Sequence, residues 1–306
     1  MPSLRFVQVD VFTETRFCGN PLAVVLDGQG LRGEQMQAIA REMNLSETTF
    51  ILPPTAGAAE ARVRIFTPRL ELPFAGHPVV GTSYVLVTEG RVPRGEEVFE
   101  IRLELGIGIV PVTITRAGEA VAQVTMTQQT PQFRAILNED DVRQLAQGLG
   151  LDPQDLLTTG LPAQLVSTGL PQLMVPVRSL QAMQAITLEL GSLRPICERY
   201  DTHSIYVFTR ETATPSAHVH TRLFAPMAGV LEDPATGSAS GALGAYLVHY
   251  RVVGSDRSVV HIEAEQGYEL GRPSRIFIDV ERRGSNISSV RVGGRVVKVM
   301  EGTIWL

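Results

Sequence analysis

Polar and apolar residues alternate over residues 4–11, with Val7, Val9 and Val11 on one face, which predicts a first strand. A loop from Thr13 to Gly19 leads to Asn20-Pro21 and a second strand over Leu22–Leu26, and Asp27-Gly28 turns the chain. Residues 34–43 carry Met36, Ile39, Ala40 and Met43 at helical spacing, the pattern of an amphipathic helix packed on a sheet. It ends near Asn44, and Ser46–Leu52 reads as a strand with Glu47 at its entrance. A strand over 61–67 precedes a first all-apolar helix at about 79–88, and strands follow near 97–104, 108–116 and 121–127. Farther on, Asn138 caps a helix with the stripe Val142, Leu145, Ala146 and Leu149. Strands near 164–168 and 172–177, a helix after Ser179, and a strand over 204–209 come next. The tail reads as strands near 258–265, 274–282, 287–293 and 295–300. Short strands with single helices and hairpin-like links predict an α+β fold rather than a doubly wound sheet.

The chain is organised around Glu232-Asp233-Pro234-Ala235-Thr236-Gly237-Ser238-Ala239-Ser240-Gly241, read as an acidic turn running into a helix that is apolar or small on every side. Such a helix belongs inside the protein, and its small-residue N-terminus attracts anions. This stretch has a partner. Arg222-x-Phe224-x-Pro226 matches Arg64-x-Phe66-x-Pro68, Gly237 falls on Gly76, and Glu265-x-Gly267 falls on Glu104-x-Gly106. Self-similarity at half the chain length implies a duplicated unit rather than a solenoid. Gln128–Pro131 is the expected linker, which gives halves of 1–127 and 128–306, the last strand (about 296–306) being assignable to either. Two such halves would bring both helix N-termini to one cleft, where small-molecule sites tend to form.

Composition narrows the partners. With 44% hydrophobic and 19% charged residues the chain is an ordinary globular one, and its net charge of −5 offers no basic footprint for nucleic acid. The first residues lack a signal-peptide run, and no stretch approaches the roughly 20 apolar residues of a membrane span, so a cytoplasmic protein is expected. Cys18 and Cys197 make neither a disulfide framework nor a zinc site.

The chemistry narrows as well. Gly237, Gly241 and Gly244 have the wrong spacing for a nicotinamide fingerprint, and no Walker sequence is present. Lys298, the only lysine, reads as an outward strand position, which argues against a Schiff-base enzyme. His218 and His220 share a strand face, but nothing nearby supplies a third metal ligand. No cofactor and no metal are expected. Glu47, His77 and Asp233 remain, each at the end of an element. Singly they read as a surface charge, a loop histidine and a turn residue. Together they suggest proton transfer at carbon, because a carboxylate desolvated between domains can serve as both base and acid.

Phe17-Cys18-Gly19-Asn20-Pro21, Asn44-Leu45-Ser46-Glu47-Thr48-Thr49-Phe50, Phe74-Ala75-Gly76-His77-Pro78 and Glu232–Ala239, with Glu265-Gln266-Gly267 and Gly271-Arg272-Pro273-Ser274, resemble the PhzF-like (phenazine biosynthesis) family over almost the whole chain. The resemblance implies a diaminopimelate-epimerase-like fold of two pseudo-symmetric halves, each a sheet wrapped around a central helix, with the active site between them. It implies a cofactor-independent isomerase of a dihydro-hydroxyanthranilate-like amino or hydroxy carboxylate. Glu47 would carry the proton, His77 and Asp233 would assist, and Asn20, Ser46, Gly76, Gly237 and Ser238 would line the cleft. The family also tends to form homodimers. The related epimerases use two cysteines where this chain has Gly76-His77 and Asp233-Pro234-Ala235, so two-thiol racemisation is not expected. An epimerase or dehydratase using the same abstraction, and a non-catalytic binding protein, are the rival readings.

Overall fold

The computed structural model describes residues 3–93, 95–254, 257–284 and 286–306. The first part of the chain forms β1 (Ser3–Val11), β2 (Asn20–Val25), α1 (Gly33–Met43), β3 (Glu47–Leu52), β4 (Ala61–Phe66), β5 (Glu71–Leu72) and α2 (Gly76–Thr88). The long strands β6 (Val98–Leu105), β7 (Gly108–Ala117) and β8 (Ala120–Thr127) follow. Next come β9 (Gln132–Ile136), α3 (Glu139–Gly148), α4 (Gln154–Leu157), β10 (Gln164–Ser167), β11 (Pro171–Pro176), α5 (Leu180–Ala185) and α6 (Leu190–Arg199). The chain continues with β12 (Ile205–Thr209), β13 (Val219–Ala225), β14 (Val230–Asp233) and α7 (Gly237–His249). It closes with β15 (Val259–Gln266), β16 (Ser274–Arg283), β17 (Asn286–Gly294) and β18 (Val296–Trp305). Among the described residues no helix is long and apolar enough to cross a membrane.

The chain divides into two compact units, Met1–Thr127 with Gly293–Leu306, and Gln128–Val292. In the first unit β1 lies between β18 and β2, antiparallel to both. The mixed sheet continues through β3, β4, β6, β7 and β8, with β2–β3 and β4–β6 parallel. The sheet wraps around α2, which packs against β1, β2, β3, β7 and β8. Almost every residue of α2 is buried, as expected of a helix without a polar face. Helix α1 lies outside the sheet with Met36, Ile39 and Ala40 turned towards Phe50 and Phe66. Its N-terminal Arg32 N–H donates to Gln35 Oε1, and left-handed Asn44 ends it.

The second unit repeats this plan. Strands β9 to β13, β15 and β16 include two parallel pairs, β11–β12 and β13–β15, and α7 packs against β10, β11, β15 and β16. A second layer places Leu145, Ala146 and Leu149 of α3 and Leu193 and Ile196 of α6 over β11 and β12. Asn138 caps α3, accepting from Asp141 N–H at 2.9 Å.

Besides the short elements β5, β9 and α4, which the sequence reading did not contain, three features depart from it. Helix α2 starts at Gly76 rather than near 79, so His77 and Pro78 form its first turn, where proline needs no hydrogen bond. Glu232 and Asp233 end the short strand β14 rather than forming a turn, because the chain already reverses at Pro226–Gly229. Helix α6 is hidden in the sequence by Pro195, and the Glu189 carboxylate caps it by accepting from Gly191 and Ser192 N–H.

The duplication is visible in side-chain contacts inside each unit. Arg64 lies over the Phe66 ring and grips Glu71 with two nitrogens; Arg222 lies over Phe224 and grips Glu232 in the same way. Glu104 accepts from the Thr55 and Ala56 N–H groups and the Thr55 hydroxyl. Glu265 accepts from the Ala213 and Thr214 N–H groups and the Thr214 hydroxyl. Each unit therefore uses one carboxylate at a strand end to clamp an incoming loop. The two arginine pairs differ in burial: side-chain exposure is 8% and 13% for Arg222 and Glu232 against 24% and 41% for Arg64 and Glu71. Arg222 also donates to Met183 O at 2.6 Å. Arg222→Met, which strands Glu232, is expected to cost about 3 kcal/mol or more, and Arg64→Met under about 1 kcal/mol. Urea unfolding of both variants checks this; equal losses would refute it.

Candidate active site

The first-unit candidates gather at the entrances of β2, β3 and α2. Asn20 opens β2 and is fully buried, and the parallel pairing of β2 with β3 sets Leu22 opposite Glu47. The loop before Asn20 is held from inside, with buried Asp10 accepting from Phe17 N–H at 2.6 Å. Phe17 and Gly19 both have left-handed backbones, and a Cβ on Gly19 would stand 2.3 Å from Val11 O. Only glycine fits there. Gly19→Ala is expected to cost about 2 kcal/mol from backbone strain, with the clash adding to it, and to displace Asn20. A fall in Tm together with weakened substrate binding checks this, and an unchanged protein would count against the account.

Ser46 immediately precedes β3 and Glu47 begins it, both half-buried. Gly76 and His77 form the first turn of α2, and the N-cap residue, Ala75, has no side chain that could cap the helix. His77 Nε2 stands 3.2 Å from Glu47 Oε2, with side-chain exposures of 7% and 15%. The two groups are at ion-pair distance, although the angle is not that of a hydrogen bond. Burial pushes the His77 imidazole down to about 3, and a helix N-terminus disfavours positive charge in the same sense. His77 is thus a neutral imidazole at physiological pH, a polar neighbour for Glu47 rather than a counter-ion. The sheet and α2 bring these two residues together although 30 positions separate them.

In the second unit Asp233 ends β14, Gly237 and Ser238 form the first turn of α7, and Thr236 is the N-cap residue. The Thr236 hydroxyl donates to Asp233 Oδ2 instead of capping the helix. The amides of a buried helix N-terminus suit an anion such as a carboxylate. Beneath this turn lies a buried polar network that the sequence reading did not single out. Tyr206 OH meets Thr221 Oγ1, Ser240 Oγ and Gln266 Oε1 at 3.1, 2.8 and 3.1 Å. His218 and His220 do not act as a pair. His218 accepts from Glu263 N–H, whereas buried His220 donates to Glu265 at 2.7 Å and Glu269 at 3.0 Å. Both partners being carboxylates, the ring carries both protons. Burial would lower its pKa, but those two hydrogen bonds outweigh burial and hold it at about 9. Among the described residues no group of three or more His, Cys, Asp or Glu is arranged to hold a metal ion.

Mixed strands that in each unit wrap a buried helix, its N-terminus carrying polar residues, define an α+β protein with the diaminopimelate-epimerase-like fold. The family model described as phenazine biosynthesis-like protein matches residues 9–302, and the chain belongs to that family. It is 38% identical over 310 residues to an uncharacterised isomerase of Mesorhizobium japonicum, covering 100% of both chains. It is 36% identical over 302 residues to the trans-2,3-dihydro-3-hydroxyanthranilate isomerase of Pseudomonas aeruginosa, covering 99% of each. The crystal structure of a PhzF-family phenazine biosynthesis protein from Bacillus anthracis superimposes with a TM-score of 0.88 at 30% identity, covering 100% of both chains. The protein is an enzyme of the isomerase class.

Proposed function

We propose that the protein is a cofactor-independent isomerase that moves a proton between carbons of a small amino or hydroxy carboxylate, with Glu47 as the general acid/base. The observation that carries this reading is Glu47 beside neutral His77 at 3.2 Å, at the N-terminus of a buried helix. Glu47 takes a proton from a C–H bond, the electron pair moves into the neighbouring π system, and the same carboxyl group returns the proton at another carbon. Asp233 and His77 hold the substrate's polar groups, Asn20 and Ser46 line the site, and amides at Gly76, Gly237 and Ser238 receive its carboxylate. The 36% identity to a trans-2,3-dihydro-3-hydroxyanthranilate isomerase makes that compound the first substrate to try. The working form is taken to be a homodimer, which light scattering on the purified protein checks.

The test is deuterium uptake from solvent into trans-2,3-dihydro-3-hydroxyanthranilate and a panel of small amino and hydroxy acids, wild type beside Glu47→Gln. Uptake at a new carbon by the wild type alone is the expected result. Uptake at the original carbon with inversion would make the enzyme an epimerase, and loss of water a dehydratase. Binding without exchange would make it a binding protein, and exchange by both forms would remove Glu47 from the role.

A further inference from the structure

Glu265-Gln266-Gly267 and Ser274 have no part in the chemistry above, yet three of these four residues touch the backbone of one turn, Asp233–Thr236. Gln266 is fully buried at the end of β15. Its Nε2 donates to Asp233 O at 2.7 Å and to Thr236 Oγ1 at 3.2 Å, while its Oε1 accepts from Thr236 N–H at 3.1 Å. The Ser274 hydroxyl, also buried, donates to Pro234 O at 2.9 Å. Gly267 has φ +81°, and a Cβ there would stand 2.5 Å from Pro234 O. Pro234 itself has no N–H to give, so the turn between β14 and α7 has one backbone donor fewer. Buried backbone groups need partners, and side chains of β15 and β16 supply them for Asp233 O, Pro234 O and Thr236 N–H.

The first unit shows what is special in this arrangement. Gly106, the equivalent of Gly267, also comes close to a proline: a Cβ there would lie 2.8 Å from the Pro73 Cα. The close glycine–proline approach is thus common to both units. The residue before it is not, because Leu105 occupies the place of Gln266. At this position the second unit gives its turn an amide side chain that satisfies a donor and an acceptor at once, which leucine cannot do. That turn carries Asp233 at one end and the first amides of α7 at the other.

We infer that Gln266, supported by Ser274 and the close approach of Gly267, is a positioning residue that templates the Asp233–Thr236 turn and so aims the Asp233 carboxylate and the α7 N-terminus at substrate. The catalytic half of this inference rests on the part assigned to Asp233 above. Misplacing a binding group by an ångström costs up to about a hundredfold in rate, so a template that touches no substrate can still govern turnover.

Gln266→Leu copies the first unit's residue, Ser274→Ala removes the second support, and Tyr206→Phe cuts the same buried network at a group that does not touch the turn. Two readouts separate the possibilities: hydrogen exchange of the Thr236 amide, which needs no substrate, and kcat and KM on the compound the wild type processes. Expected are lost Thr236 protection in Gln266→Leu and a kcat about tenfold or more lower, with KM changed far less. Ser274→Ala should move kcat in the same direction by less, and Tyr206→Phe should lower Tm while leaving kcat near wild type. Unchanged Thr236 protection in Gln266→Leu overturns the template, and equal kcat losses in Gln266→Leu and Tyr206→Phe reduce it to a stability effect. Should Gln266→Leu not fold, Ser274→Ala against Tyr206→Phe decides by the same kcat comparison. If the wild type processes no compound, the proposed function fails, and the Thr236 amide alone decides whether Gln266 holds the turn.

Discussion

Glu47→Gln is expected to lower kcat by about 10²–10⁴-fold, the usual worth of a positioned general acid/base, with KM nearly unchanged. The amide keeps the size and much of the hydrogen bonding of the carboxylate, so β3 and its contact with His77 should persist. What disappears is the ability to accept and return a proton. Because burial holds His77 at about 3, its titration contributes nothing to the pH–rate profile between about pH 5 and 9. In the wild type the acid limb of kcat/KM should therefore report carboxyl groups of the site and not His77, and Glu47→Gln should remove the Glu47 contribution to that limb along with the rate. Steady-state kinetics from pH 4 to 9 on both forms checks this. A variant that retains turnover would move the base elsewhere.

The places in the fold of the candidate residues could be read in the sequence because small, stiff residues mark where elements begin. Gly19-Asn20-Pro21, Gly76-His77-Pro78 and Asp233-Pro234 punctuate strand and helix starts, and those starts are where the candidate side chains stand. The all-apolar helices α2 and α7 were equally legible, since a helix without a polar face has only one place to go. The contacts across the fold were not. Glu47 meets His77 only because β3 and α2 start side by side, and sequence spacing carries no trace of that. His220 and its carboxylates are 45 and 49 positions apart and meet through the parallel register of β13 and β15. Gln266 and Gly267 stood in a recognised motif, but their task shows only when Pro234 lies against them. Helix α6 escaped because Pro195 argues against a helix unless its tertiary packing and the Glu189 cap are known.

His220→Gln is expected to be among the most destabilising single changes in the second unit, and its cost should depend on pH. The imidazolium bridges Glu265 and Glu269, with Tyr268 the aromatic ring beside it. Burial would push Glu265 and Glu269 up, but the His220 hydrogen bonds outweigh it and hold both carboxyls below their ordinary value. All three groups are therefore charged at pH 6 to 8. Removing the cation leaves two carboxylates uncompensated in a buried setting, at a cost of about 3–5 kcal/mol. One of them, Glu265, also clamps Ala213 and Thr214, so that loop should loosen with it. The folded protein holds the His220 proton up to about pH 9, against 6.5 for an unperturbed imidazole. Between those values the native state binds more protons than the unfolded chain, so this contribution is complete below about pH 6.5 and fades as pH rises through 9. Its full size is on the order of 3 kcal/mol. The first unit has no such dependence at the equivalent position. There Arg62 lies opposite Glu104 in register and 3.7 Å from it, and a guanidinium does not titrate in this range. Urea unfolding at pH 6, 7.5 and 9 should show wild-type stability falling across the series and His220→Gln nearly flat. Parallel curves for the two proteins would mean that His220 is not the charged bridge between these carboxylates.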